Sequence, residues 1–319
     1  MGKIDSIKQA LWNPQTKTCL GRTGDSWLKI IGFYICLYSC LAGIWSAYYG
    51  LFHLTISDKY PKWILGESII GTNPGVGMRP QNPRERVESA LIHYREGSNG
   101  DFQHWVDNIN DYLNETTSEL GISNSNSNNK ENNNNNNTNN QTIKINCNEK
   151  KSEEEARETI CPFDSSAIPA DCQAAQNYSF PLGQPCILIK LNRIYGWKPE
   201  PHQWRPANYP EEAPFSPGNI QITCEGQHDP DKEHLGPVEY FPSTGIDVKY
   251  YPFFNQPGYQ SPYVMVHFKN PKRNTLIYIE CKAWAKNVEH DRYNRKGLTT
   301  FELFIEKAEE PKPSGQASG

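Results

Sequence analysis

Residues 30–52 contain no Asp, Glu, Lys or Arg, in a chain of 319 residues whose mean hydropathy is −0.73. As a helix rising about 1.5 Å per residue, that run reaches roughly 35 Å, enough to cross a bilayer core of about 30 Å. The run predicts one transmembrane helix over 30–53 and constrains everything else, because it divides the chain between two compartments. A cleaved signal peptide has an apolar region of about 7–15 residues close to the N-terminus, and here a polar segment precedes a longer run. Residues 1–29 carry Lys3, Lys8, Lys17, Arg22 and Lys29 against Asp5 and Asp25, whereas Lys59 and Lys62 are offset by Asp58 and Glu67. The positive-inside bias predicts a cytoplasmic tail at 1–29 and a C-terminus outside, the type II arrangement.

Cysteines and sequons agree with that orientation. Beyond the helix lie Cys147, Cys161, Cys172, Cys186, Cys224 and Cys281, an even set suited to an oxidising compartment. No C-x-x-C pair occurs among them, which argues against zinc. Asn114-Glu-Thr, Asn136-Asn-Thr, Asn140-Gln-Thr and Asn177-Tyr-Ser are glycosylation candidates on the same side; Asn136 and Asn140 fall in an asparagine-rich tract where such matches arise by chance.

The outer part divides into an irregular stalk at 54–83, rich in Gly, Pro and Asn, and an ectodomain at 84–309. Phe102, Trp105, Val106, Ile109 and Leu113 recur at helical spacing. Residues 123–141, centred on ENNNNNNTNN, cannot bury a core and read as a disordered insertion; 310–319 read as a flexible tail. After Cys186 come ILIKLNRIY, NIQITCEG, IDVKYYPFF, PYVMVHFK, TLIYIECKAWA and TTFELFIE, short β-rich runs between turn signals. Alternation puts Ile277, Ile279, Cys281 and Ala283 on one face of their strand and Ile220, Ile222 and Cys224 on one face of theirs. The expected architecture is a mainly-β extracellular domain, an immunoglobulin-like β-sandwich with a helical insertion, in which Cys224 and Cys281 bridge the two packed sheets. Neighbour pairing of the other four cysteines would close two loops of about 15 residues, each contributing about 3 kcal/mol in the chain-entropy model, but the spacing leaves their connectivity open.

The chain has no nucleophile elbow, zinc-binding H-E-x-x-H, phosphate loop or dinucleotide fingerprint, so no catalytic residue, metal ligand or cofactor is assigned. Within HDPDKEH, Asp229 and Asp231 form a D-x-D such as membrane-anchored glycosyltransferases use for a metal-bound sugar nucleotide; the competing reading is a solvated loop between strands. A glycosyltransferase-like ectoenzyme and an adhesion module are the alternatives carried. Scattered basic residues and a net charge of −4 exclude nucleic acid as a partner.

The membrane run itself is two-faced. At about 100° per residue Tyr34, Tyr38, Trp45 and Tyr48 share one arc, while Gly32, Cys36, Ser39, Gly43, Ala47 and Gly50 share the opposite one. Small residues at such spacing let another helix approach closely, and deep tyrosine hydroxyls need a polar partner.

These residues carry a resemblance. GRTGDSW (Gly21–Trp27), FYICLYSCLAGIW, PCILIKLNRIYGWKP (Pro185–Pro199), YYPFF and IECKAWAKN, in that order, are similar to the motifs of the beta-subunit family of the sodium/potassium-transporting P-type ATPase. The resemblance implies a non-catalytic plasma-membrane subunit that binds the catalytic alpha subunit for folding, exit from the endoplasmic reticulum and delivery, and tunes potassium affinity. It implies the pairs Cys147–Cys161, Cys172–Cys186 and Cys224–Cys281. It also implies alpha contact through Tyr34 and Tyr38 in the membrane and through Tyr250, Tyr251, Pro252, Phe253 and Phe254 outside, where Phe253 and Phe254 replace the family's tyrosines. The small-residue side is left for alpha, a small single-pass third subunit or membrane lipid.

Overall fold

A computed structural model of the chain describes residues 12–13, 16–57, 60–86, 89–118, 144–148 and 152–308. The chain falls into two units, residues 1–63 and 64–319. In the first, two-residue strands β1 (Trp12–Asn13), β2 (Thr18–Cys19) and β3 (Arg22–Thr23) form a small antiparallel sheet that leads into helix α1 (Gly24–Leu54). This helix starts six residues before the uncharged run because its first turns need not be apolar; Asp25 favours the positive end of the helix dipole and His53 lies at the other end. The helix has the length and composition to cross a membrane.

In the second unit, β4 (Val76–Arg79) and β5 (Leu91–Arg95) precede helix α2 (Gln103–Ser118), which carries the predicted apolar spacing. The short β6 (Lys144–Ile145), α3 (Glu153–Glu158) and β7 (Thr159–Ile160) follow, then β8 (Cys186–Leu191), β9 (Asn219–Gly226), α4 (Asp229–Leu235), β10 (Val238–Phe241) and β11 (Ile246–Asp247). Strands β12 (Tyr263–Phe268), β13 (Leu276–Trp284) and β14 (Leu298–Glu306) complete the order. Two main sheets result, β10-β12-β8-β4 and β11-β9-β13-β14-β5, antiparallel except for the β14–β5 pair. Ile187, Ile189 and Val266 from the first and Ile222, Ile279 and Phe301 from the second belong to one buried core, to which α2 adds Trp105, Val106 and Ile109. Tyr240 of the first sheet crosses to the second, its hydroxyl accepting from Cys224 N at 2.9 Å and donating to Cys224 O at 3.2 Å.

Three expectations need correction. Cys224 and Cys281 are bonded, but they are register partners on adjacent strands β9 and β13, with Cα atoms 4.0 Å apart. The bridge therefore staples two neighbours within one sheet instead of joining two sheets; a shared inward face is common to both geometries, and strand periodicity does not separate them. The stalk expected at 54–83 is irregular only in part, since β4 pairs with β8 and so belongs to the sandwich. The run IDVKYYPFF is a strand only over Ile246–Asp247; Val248–Tyr250 then makes one 3-10 turn, capped by the Asp247 carboxylate accepting from Lys249 N at 2.8 Å. The expected insertion at 123–141 and tail at 310–319 lie outside the described residues.

Candidate functional site

On α1 none of the 31 residues is buried. Tyr34 and Tyr38, one turn apart, stack with ring centroids 5.9 Å apart, and Phe33 meets Tyr34 edge-on at 5.5 Å. Trp45 and Tyr48 are 75% and 68% exposed. Across the helix, a methyl group placed on Gly32, Gly43 or Gly50 would touch nothing, so that side is a shallow backbone surface open to a neighbouring helix. Near the start, Trp27 Nε1 donates to Cys19 O at 2.9 Å, which ties the helix to the small sheet before it.

The ectodomain stretch Tyr250–Phe254 has a different character. Tyr250, Pro252 and Phe254 are buried within the sandwich unit, while Tyr251 and Phe253 are half-exposed. Tyr250 packs on Phe163, whose ring in turn lies 4.4 Å from Tyr263. Tyr251 meets Trp197 edge-on at 5.5 Å. Gln256, itself buried, locks the turn: its Oε1 accepts from Phe254 N at 2.9 Å, and its Nε2 donates to Ala156 O at 2.6 Å and Pro252 O at 3.2 Å. Phe254 lies under the Arg157 guanidinium at 5.1 Å and beside Tyr195 at 5.3 Å. Gly196 donates its N–H to Phe253 O at 2.8 Å with φ +74, a left-handed conformation that favours glycine. A cleft of about 500 Å³ opens beside Phe254, lined in part by Ile64, Leu65, Gly196, Trp197 and Asn287.

Sequence reading did not find Gln256. A lone glutamine after an aromatic run carries no local signal; only its reach to α3, a hundred residues earlier, gives it a role. Arg193 and Gly196 were visible as members of PCILIKLNRIYGWKP, but their contact with Phe253 was not.

The disulfides join Cys147 to Cys161, Cys172 to Cys186 and Cys224 to Cys281. His267 lies with Cys172 and Cys186 in a buried group whose potential ligand atoms are all within 4.8 Å of one another, yet both sulfurs are bonded to each other and offer no thiolate. Burial holds the His267 imidazole below its ordinary value, assisted by Lys269. Asn114 is exposed at the surface of α2. Asn177 is half-buried in a left-handed turn, and the hydroxyl of Ser179, the third member of that sequon, is buried and donates to Asp171 O at 2.8 Å. Asn136 and Asn140 lie outside the described residues.

The Asp229–Asp231 pair is on a helix, not a loop; in its Pro-containing first turn the Asp231 carboxylate reaches back to the backbone N–H of the N-cap residue His228. Asp231 is buried and accepts from Tyr278 N at 3.1 Å, His228 N at 3.2 Å and His228 Nδ1 at 2.7 Å. Burial alone would raise its carboxyl, but these hydrogen bonds outweigh it and leave the pKa lowered. The Asp229 side chain is 95% exposed. The two carboxylates thus have separate surroundings, and Asp231 acts as a clasp between α4 and β13.

Comparison with known proteins adds to this geometry. Residues 1–303 match the family described as sodium/potassium ATPase beta chain. The chain is 35% identical over 318 residues to sodium/potassium-transporting ATPase subunit beta-2 of Drosophila melanogaster, covering 95% of this chain and 93% of the relative. It is 35% identical to the probable subunit beta-3 of Caenorhabditis briggsae, over 95% of this chain and 87% of that one. Subunit beta-1 of Tetronarce californica is 29% identical, over 94% and 95% respectively.

Proposed function

The chain belongs to the sodium/potassium ATPase beta-chain family, and from that premise we propose that it is the non-catalytic subunit that folds with, delivers and tunes the catalytic alpha subunit of a plasma-membrane cation pump. The observation that carries the reading is that no residue of α1 is buried, with a stacked aromatic side and a shallow small-residue side. In lipid, a helix associates by packing and interhelical hydrogen bonds, and the tyrosine hydroxyls and glycine surfaces are suited to both. Tyr34 and Tyr38 are the proposed alpha contacts; the small-residue side takes alpha, a single-pass third subunit or lipid. The N-terminus is cytoplasmic and the sandwich extracellular, where disulfides persist and sequons are reached.

Outside the membrane, the surface available from Tyr250–Phe254 is Tyr251 and Phe253; the other three residues hold the turn that presents them. Tuning follows from linkage. If the potassium-occluded and sodium-facing states of alpha differ in affinity for these surfaces, this subunit shifts their balance, and ion binding alters its own affinity in return. The test is co-expression with the catalytic subunit, with Tyr34→Leu and Tyr38→Leu combined. The expected result is stable assembly with an altered apparent potassium affinity; unchanged assembly together with unchanged affinity overturns the role of these tyrosines.

A further inference from the structure

Lys190 of β8 lies opposite Gly77 of β4 on one side and Tyr263 of β12 on the other. It therefore emerges on the face of the four-stranded sheet that also carries Arg79, two residues along β4 from Gly77. Tyr112 of α2 lies against both cations, its ring centroid 5.0 Å from Lys190 Nζ and 4.9 Å from Arg79 Cζ. Gly77 leaves room for the lysine stem: a Cβ there would sit 2.9 Å from Asn192 Oδ1 and 3.6 Å from Lys190 Cε. Just past β8, Arg193 Nε donates to Ser261 Oγ at 2.7 Å, and its guanidinium covers Phe253 at 5.3 Å and Tyr259 at 5.6 Å.

Three cations thus converge around two tyrosine rings. None of the ion pairs among the described residues includes Arg79, Lys190 or Arg193. Glu115, on the next turn of α2, offsets part of the Arg79 charge from farther away. Burial, followed by repulsion from Arg79 and Arg193, brings the Lys190 ammonium down to about 8. Ring faces reduce the cost of gathering like charges but do not neutralise them. Arg79 and Lys190 are partly buried and Arg193 is exposed. Arg79 Nη1 donates to Met78 O at 3.1 Å and Arg193 Nε to Ser261, which leaves the Lys190 ammonium and the other guanidinium N–H groups to attract an oxyanion, and a guanidinium fork favours a planar carboxylate. The cluster also has a direction, because Arg193 lies over Phe253, one of the two half-exposed residues of the Tyr250–Phe254 stretch.

We propose that Arg79, Lys190 and Arg193 form an oxyanion seat that receives a carboxylate side chain from the extracellular surface of the catalytic subunit, with Phe253 packing beside it. This rests on the reading that the chain pairs with that subunit. The experiment uses the tagged full-length chain, co-expressed with the catalytic subunit and purified in mild detergent across a ladder of salt concentrations. Wild-type retention of the catalytic subunit is expected to fall several-fold between about 0.05 M and 0.5 M salt, as screening of a partly exposed charge pair requires. The Lys190→Gln/Arg193→Gln chain is expected to retain about tenfold less at low salt and to lose the salt dependence. Arg193→Lys, which keeps the charge but not the planar fork, is expected to keep the salt dependence, with retention between that of the wild type and that of the double variant.

Removal of sialic acids from the complex is expected to leave the salt dependence unchanged; its disappearance would assign the carboxylate to a glycan and overturn the proposed source. Variant retention and slope equal to wild type would overturn the seat. Intact disulfides on non-reducing electrophoresis check the fold of the variants, and should they misfold, a flat wild-type salt ladder overturns the proposal by itself. A wild-type chain that retains no catalytic subunit at any salt concentration would overturn the pairing, and the seat with it.

Discussion

Helix α1 and the Tyr250–Phe254 turn are both aromatic-rich, and the resemblance marks both as partner contacts, yet they relate to their own chain in opposite ways. No residue of α1 is buried, and Tyr34 and Tyr38 touch each other and little else. In the ectodomain turn, Tyr250, Pro252 and Phe254 are enclosed by Phe163, Tyr195, Arg157 and Gln256. Aromatic content therefore leaves an open surface in one place and builds an internal brace in the other. What separates them is whether the same chain already covers the ring, since burial of apolar area is favourable whichever molecule supplies the cover.

That contrast can be broken first through the frame that holds the turn. Changing Cys224 and Cys281 together to serine releases a span of 57 residues and should cost about 4 kcal/mol in the chain-entropy model. Urea unfolding of the purified chain, followed by tryptophan fluorescence, measures this; an unmoved midpoint would mean that the strand pairing, not the bridge, maintains the sheet. Phe254→Ala should destabilise the ectodomain by about 3 kcal/mol, the usual cost of emptying a buried aromatic site. Phe253→Ala should cost less, about 1–2 kcal/mol, because that ring is only partly buried, while weakening retention of the catalytic subunit. Equal losses of stability at the two positions would end the distinction between brace and contact.

A smaller effect belongs to Glu280, buried on β13. Its Oε1 lies 2.9 Å from Lys282 Nζ and its Oε2 2.7 Å from Arg292. Burial alone would raise this carboxyl, but Lys282 and Arg292 outweigh burial and hold it below its ordinary 4.5. A carboxyl whose folded pKa is depressed adds stability above its unfolded value and loses it as the pH falls through the folded one. Glu280→Gln should cost about 1–2 kcal/mol at neutral pH, discounted for the exposure of its partners. It should also flatten the decline in stability below the ordinary carboxylate range; an unchanged acid limb in thermal melts would remove Glu280 as its source. At the bottom of the scale, Tyr34→Leu with Tyr38→Leu should move ectodomain stability by less than about 0.5 kcal/mol, and a larger shift would show that α1 and the sandwich are not independent.

Several elements were legible because their signals are local. The uncharged run at 30–52 sets a transmembrane length whatever surrounds it, and Trp105, Val106 and Ile109, at helical spacing after Phe102, are buried on α2. The runs NIQITCEG and TLIYIECKAWA coincide closely with β9 and β13. Less was legible where the outcome depends on residues distant in the chain. Val76–Arg79 has no strong strand pattern and becomes one because β8 offers it an edge. The sequence HDPDKEH reads as a loop, but the Asp231 carboxylate, accepting from His228 N and from Tyr278 N, holds it as a helix.

By itself, then, the order of residues determined a helix long and apolar enough to cross a membrane, the strand-rich domain after it, the six cysteines of that domain and the motifs that place the chain in its family, because periodicity, charge and spacing are properties of neighbours in sequence. Tertiary structure decided that Cys224 and Cys281 share one sheet, that Gln256 and Phe254 face inward while Phe253 reaches the surface, and that Arg79, Lys190 and Arg193 meet around Tyr112 and Tyr259. The physical reason is that an alternating strand fixes only which face a side chain takes. Which atoms wait on that face depends on the packing of segments tens to hundreds of residues apart.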